Sequence, residues 1–115
     1  MPTALSLDIT HRQDGTVVLV ADGEIDLSNV DAFRRALSAA TAEAADGGAG
    51  LIADLASVEY VDSAAINVLS ARADQIGTLV VHPLLTTIFA ISGLSELITV
   101  EPAQAEPAQG GPSKS

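Results

Sequence analysis

Apolar and polar positions alternate at the start of the chain. Leu5, Leu7 and Ile9 are separated by polar neighbours, the period of two that turns one face of a strand toward a core. Asp14-Gly15 supplies turn chemistry. Residues 16–20 (TVVLV) return as a β-branched run continuous enough for an inner strand. Gly23-Glu24-Ile25-Asp26 then reads as a break. The period changes to three and four at Val30, Phe33, Leu37, Ala40 and Ala44, which lays one helical stripe on a sheet. Ser28 is the expected N-cap of that helix, with Asp31 as a weak capping box, and Asp46-Gly47-Gly48 ends it. Residues 51–55 (LIADL) read as a buried strand, and residues 57–61 as a connection to Asp62-Ser63.

A second helix starts there, with Ile66, Leu69 and Ala73 expected inward, and Gly77 keeps it short. Residues 78–82 (TLVVH) form the next strand, stopped by Pro83. Leu84, Leu85, Ile88, Phe89 and Ile91 predict a third helical stripe closed by Gly93, and residues 98–100 a last edge strand. The order is β-β-α-β-α-β-α-β, which predicts an α/β domain with a mixed, mainly parallel sheet of four to five strands. No internal repeat is present. Residues 1–100 are expected to form one domain. Residues 101–115, rich in Pro, Gly and small polar residues, are expected to be a disordered tail.

Composition narrows the function. With 115 residues and 48% hydrophobic but only 3% aromatic content, one core is packed largely from Ala, Val, Ile and Leu. Five Lys and Arg against fifteen Asp and Glu give a net charge of −10. Such a surface repels phosphate backbones and anionic headgroups, arguing against nucleic-acid and membrane-surface binding. The absence of cysteine excludes disulfides and thiolate chemistry. Residues 1–6 lack the charge and apolar stretch of a signal peptide. The apolar run 79–94 is too interrupted to span a bilayer. The expectation is a cytoplasmic protein.

Enzyme signatures are missing: there is no G-x-S-x-G, G-x-x-x-x-G-K or G-x-G-x-x-G. His11 and His82 have no second ligand at metal spacing, so neither a metal nor a cofactor is expected. Asp26, Asp54 and Asp62 fall at ends of expected strands and are candidates to converge on one pole, most simply as caps. Asp62 or Ser63 is the N-cap of the second helix. A helix entrance offers free amides and a positive dipole end, so a phosphoryl group on Ser63 is an obvious way to change the charge there.

The segments Gly23-Glu24-Ile25-Asp26, Leu51-Ile52-Ala53-Asp54-Leu55 leading to Val61-Asp62-Ser63, and Leu79-Val80-Val81 followed by Ile91-Ser92-Gly93-Leu94 appear in the order of a known family. Over roughly residues 5 to 100 the chain resembles a STAS domain of the anti-sigma factor antagonist (anti-anti-sigma factor) type. The resemblance implies a non-enzymatic binding module with its helices mainly on one face of the sheet. It differs from the family in Ala64 and Ala65, where a second hydroxyl residue and a glycine are usual, in a shortened second helix, and in lacking a regular final helix. It further implies that the unphosphorylated form binds a GHKL-type ATPase kinase, the anti-sigma factor, and frees a sigma factor. Phosphorylation of Ser63 breaks that complex, and a PP2C-type phosphatase resets it. Asp26, Ser28, Asp62, Ala64, Ala65 and Ile66 are the implied surroundings of the phosphosite. The alternative is a STAS docking subunit that does not switch, as in a stressosome-like assembly or beside a lipid-transport ABC ATPase.

Overall fold

Five strands follow one another across a single sheet in chain order, β1-β2-β3-β4-β5. The computed structural model describes residues 4–48 and 50–103. Strand β1 (Leu5–His11) pairs antiparallel with β2 (Val17–Ile25), whereas β3 (Leu51–Val61), β4 (Thr78–Val81) and β5 (Thr99–Pro102) add in parallel. Each parallel step needs a crossover, crossovers are right-handed, and all three advance in the same direction. Helices α1 (Val30–Gly47), α2 (Ser63–Ala71), α3 (Thr86–Ile91) and α4 (Leu94–Leu97) therefore stack on one face.

Burial follows the pleat. Val17, Leu19 and Ala21 of β2, Leu51, Ala53 and Leu55 of β3, and Leu79 and Val81 of β4 lie under the helices and are buried. Val20, Ile52, Asp54 and Val80 face the other way and are half-buried. The α1 stripe is as expected: Val30, Phe33, Leu37, Ala40 and Ala44 are buried. The helix closes at Gly48, which takes φ 72° and donates its N–H to the Ala44 carbonyl, a left-handed cap that glycine reaches without a Cβ penalty.

Four expectations need correction. Residues 23–25 do not break the second strand. β2 continues to Ile25 through two register irregularities, one between Val20 and Asp22 and one between Gly23 and Glu24. Residues 57–61 are strand rather than connection, because β3 pairs with that extension of β2, Ile25 opposite Val61. The third helical stripe splits: Leu85 and Phe89 are buried, whereas Leu84, Ile88 and Ile91 are exposed. Pro83 opens a 3-10 turn (Pro83–Leu85) ahead of α3, and Gly93 (φ 83°) precedes the one-turn helix α4. Finally, the last strand runs to Pro102, two residues past the composition boundary. The remainder of the expected tail, residues 104–115, lies outside the described residues.

These differences shape the functional end. Val81, the last residue of β4, lies opposite Leu55. The β3 strand continues six residues beyond that pair to Val61, roughly 20 Å at ~3.3 Å per residue. The β2–β3 pair thus projects past β4 as a ribbon, flanked by β1 on the β2 side as far as Gly23. Ile25, Val58 and Val61 anchor it to the core, while Ser57, Glu59 and Tyr60 are exposed.

Candidate functional site

The ribbon tip is closed by the two connections that leave it, and Asp62 joins them. As N-cap of α2, it accepts through Oδ1 from the amides of Ala64 (3.0 Å) and Ala65 (3.3 Å). Its Oδ2 accepts from the Leu27 amide at 3.0 Å, and its own N–H donates to the Ile25 carbonyl at 3.2 Å. The Asp62 carbonyl receives the first intrahelical bond, from Ile66 N–H. A carboxylate at a helix entrance satisfies orphan amides and meets the positive end of the dipole. Its second oxygen fixes the β2–α1 loop against that entrance.

The loop supports itself as well. Asp26 Oδ1 accepts from the Ser28 amide (2.9 Å) and the Ser28 hydroxyl (2.5 Å). Asn29 Oδ1 accepts from the Asp26 amide (3.0 Å), and Asn29 Nδ2 donates to the Glu24 carbonyl (2.9 Å). Ser28 is therefore not the N-cap of α1. That position belongs to Asn29, whose side chain makes no capping bond to the helix. Ser28 is held in an Asx turn because the preceding Asp competes for its amide. Asp31 pairs with Arg34 one turn on, instead of completing a capping box.

Gly23 sets the ribbon's entry. Its φ of 117° is open to glycine alone among ordinary residues. A Cβ there would stand 2.3 Å from the Ala4 carbonyl oxygen, the same oxygen that accepts from Glu24 N–H at 3.1 Å.

Ser63 is the first residue of α2, and its side chain is exposed. Its hydroxyl makes no hydrogen bond to a described residue, since capping is done by Asp62. The hydroxyl is thus both reachable and uncommitted. Ala64 and Ile66 are half-buried beside it. Ala65 is completely buried, which corrects its expected place on a docking surface. Its methyl packs inward at the position facing the sheet, and only its amide serves the site. Val68 joins Leu69 on the inner face of α2, where Ile66 was expected.

Of the site residues read from the sequence, Asp26, Ser28, Asp62, Ser63, Ala64 and Ile66 come together at this tip. Asp54 does not. It lies on β3 eight residues before Asp62, which follows the strand's end, roughly 26 Å away along the chain, with its carboxylate accepting from Ala56 N–H. The histidines are apart too: His11 contacts Glu43, and His82 Nδ1 accepts from Leu84 N–H. Among the described residues no group of three or more His, Cys, Asp or Glu is placed to hold a metal ion, and no helix is long and apolar enough to cross a membrane. Sequence reasoning missed Leu27, whose amide is the link to Asp62. Nothing in a leucine side chain signals a backbone bond.

Comparison with known proteins agrees with this architecture. The sequence matches the family described as STAS domain over residues 9–106. No curated protein sequence matches it. Among solved structures, an anti-sigma factor antagonist from Mycobacterium paratuberculosis superposes with a TM-score of 0.75 at 22% identity, covering 87% of each chain. The anti-sigma factor antagonist SpoIIAA in its unphosphorylated form gives 0.62 at 22% identity, covering 90% of this chain and 92% of that one. The Bacillus cell fate determinant SpoIIAA in its phosphorylated form gives 0.55 at 22% identity, covering 90% and 96%. At these identities the likeness is one of fold.

Proposed function

The chain belongs to the STAS domain family, and from that premise we propose that it is an anti-sigma factor antagonist switched by phosphorylation of Ser63. The carrying observation is the exposed Ser63 hydroxyl at the entrance of α2, left uncommitted because Asp62 does the capping. Solved relatives of the same fold include antagonists in unphosphorylated and phosphorylated forms, which supports the reading.

In the active form the ribbon tip and the first turn of α2 dock on an anti-sigma factor of the GHKL ATPase kinase class, and a sigma factor is released. That kinase then transfers the γ-phosphoryl group of its ATP. The Ser63 Oγ–phosphorus bond forms, the bond to the ADP leaving oxygen breaks, and the hydroxyl proton passes to a base of the kinase. The product adds about −1.5 to −2 charges beside Asp62, at a tip that already carries Glu24, Asp26 and Glu59. The α2 amides nearest the new group are held by Asp62, so the phosphate remains on the surface and opposes re-docking. A PP2C-type phosphatase restores the hydroxyl by hydrolysis. Ala65 leaves this route open, because the methyl it adds relative to glycine points into the core and away from an approaching kinase.

Binding of the kinase measured by calorimetry tests the switch. Ser63→Asp lowers affinity by tenfold or more, while circular dichroism stays that of the wild type. Ser63→Ala binds like the unphosphorylated protein and loses no stability, since the cap belongs to Asp62. A Ser63→Asp variant that binds as tightly as wild type overturns the reading in favour of a non-switching docking subunit.

A further inference from the structure

A cavity of about 400 Å³ opens between α1 and the end of α2, lined by Arg34, Val68, Ala71, Arg72, Asp74 and Gln75. It lies toward the far end of α2 from Ser63 and stands apart from the switch.

Arg72 crosses this cleft. Its Nη1 donates to Thr41 Oγ1 (3.3 Å) and Gln75 Oε1 (3.0 Å), and its Nη2 donates to Ser38 Oγ (3.0 Å). These bonds fix the half-buried residue across to α1, and all three acceptors are neutral. In a chain with fifteen Asp and Glu, Arg72 pairs with no described carboxylate. Of the five N–H donors of a guanidinium, Nε–H and one hydrogen of Nη2 are left without a described partner. A planar cation held in place with donors to spare is suited to a carboxylate. Asp74 lines the same cavity from the 3-10 turn Ala73–Gln75. Its carboxylate forms no hydrogen bond or ion pair with a described residue, Arg72 included. Arg34, on the α1 wall, is already matched by Asp31.

A cation and an anion thus share one cavity without neutralising each other, and Val68 and Ala71 add an apolar lining. A ligand that carries both a carboxylate and an ammonium gains at both ends. Being neutral overall, it also escapes the repulsion that a net charge of −10 sets against phosphates and other free anions. We infer that this cavity binds a free α-amino acid with a small apolar side chain, its carboxylate on Arg72 and its ammonium on Asp74. The volume lies near the lower end of the ~300–1,000 Å³ of small-molecule sites, which sets the size of the ligand. Two polar anchors, with Asp74 exposed, make millimolar binding the expectation.

Titration of the full chain with L-alanine, L-valine and L-leucine, followed by amide NMR spectra, tests this. Saturable shifts are expected at Val68 and at residues 71–75. Isocaproate, which lacks the ammonium of leucine, and isopentylamine, which lacks its carboxylate, are each expected to bind about tenfold or more weakly. Asp74→Asn, at an exposed position where the fold is kept, is expected to cost leucine about tenfold in affinity and isocaproate nothing. Arg72→Gln is expected to weaken both, with circular dichroism as the check on folding. Absence of saturable shifts with all three amino acids at tens of millimolar overturns the inference. So do shifts confined to residues outside the cavity, isocaproate binding as tightly as leucine, or Asp74→Asn binding leucine as tightly as wild type.

Discussion

Removing the Asp62 carboxylate perturbs three bonds at once, and the geometry orders the consequences. In Asp62→Ala, the Ala64 and Ala65 amides lose their cap, and the Leu27 amide loses its acceptor. Loss of an N-cap costs about 0.5–2 kcal/mol. The Leu27 bond adds a net ~0.5–1.5 kcal/mol, at the low end because water reaches that loop. The expected destabilisation is about 1–3 kcal/mol. Asp62→Asn keeps one oxygen for the helix amides, but its NH2 group cannot accept from Leu27 and its charge no longer meets the dipole. Its cost is about 1 kcal/mol. Urea unfolding followed by circular dichroism reads both values, with an unchanged denaturant slope as the sign of unaltered compactness. Amide exchange adds the local signature: Leu27 loses protection in both variants, Ala64 and Ala65 in Asp62→Ala alone. If Asp62→Ala lies within about 0.5 kcal/mol of wild type, or if the two variants cost the same, Asp62 is not the clasp described.

Two further substitutions test the scaffold. Gly23→Ala forces a Cβ toward the Ala4 carbonyl at 2.3 Å with φ at 117°, and is expected to cost about 2–4 kcal/mol in urea unfolding; a neutral result would show that the ribbon does not need this approach. Asp14 accepts from the Thr16 amide at 2.9 Å. That bond, with a lesser share from the Thr16 hydroxyl, holds its carboxyl below the usual range. A carboxyl depressed on folding stabilises above its unfolded pKa, and the contribution fades as pH falls through the folded one. The stability advantage of wild type over Asp14→Asn is thus expected at neutral pH and should vanish in acid; an advantage that grows in acid contradicts the assignment.

Much of this molecule is written in periodicity. The α1 stripe, the β1 alternation and the parallel sheet follow from side chains that have one way to reach a core. The cap of α2 was legible only as far as Asp62 or Ser63, since both residue types cap and they are adjacent; the structure gives it to Asp62. What escaped has physical causes. Residues 57–61 gave a weak strand signal because that part of β3 belongs to a projecting ribbon, with Ser57, Glu59 and Tyr60 exposed and partners supplied by β2 alone. Ser28 and Asn29 are both good caps, and the choice between them was made by Asp26, which captured the Ser28 amide. The third stripe holds five apolar residues, more than one face can bury after a 3-10 turn, so three point outward. Ala65 was misplaced for a simpler reason: a change from glycine to alanine looks like added surface bulk until the helix phase turns the methyl inward.

The most direct test of the central claim is to locate a phosphate. Incubation with a GHKL-type anti-sigma factor kinase that binds this protein, and with ATP, followed by intact-mass and peptide mass spectrometry, is expected to show one phosphoryl group per chain. That group is expected on Ser63, and none on Ser63→Ala. A phosphate on any other residue, or none on a protein that the kinase binds, contradicts it.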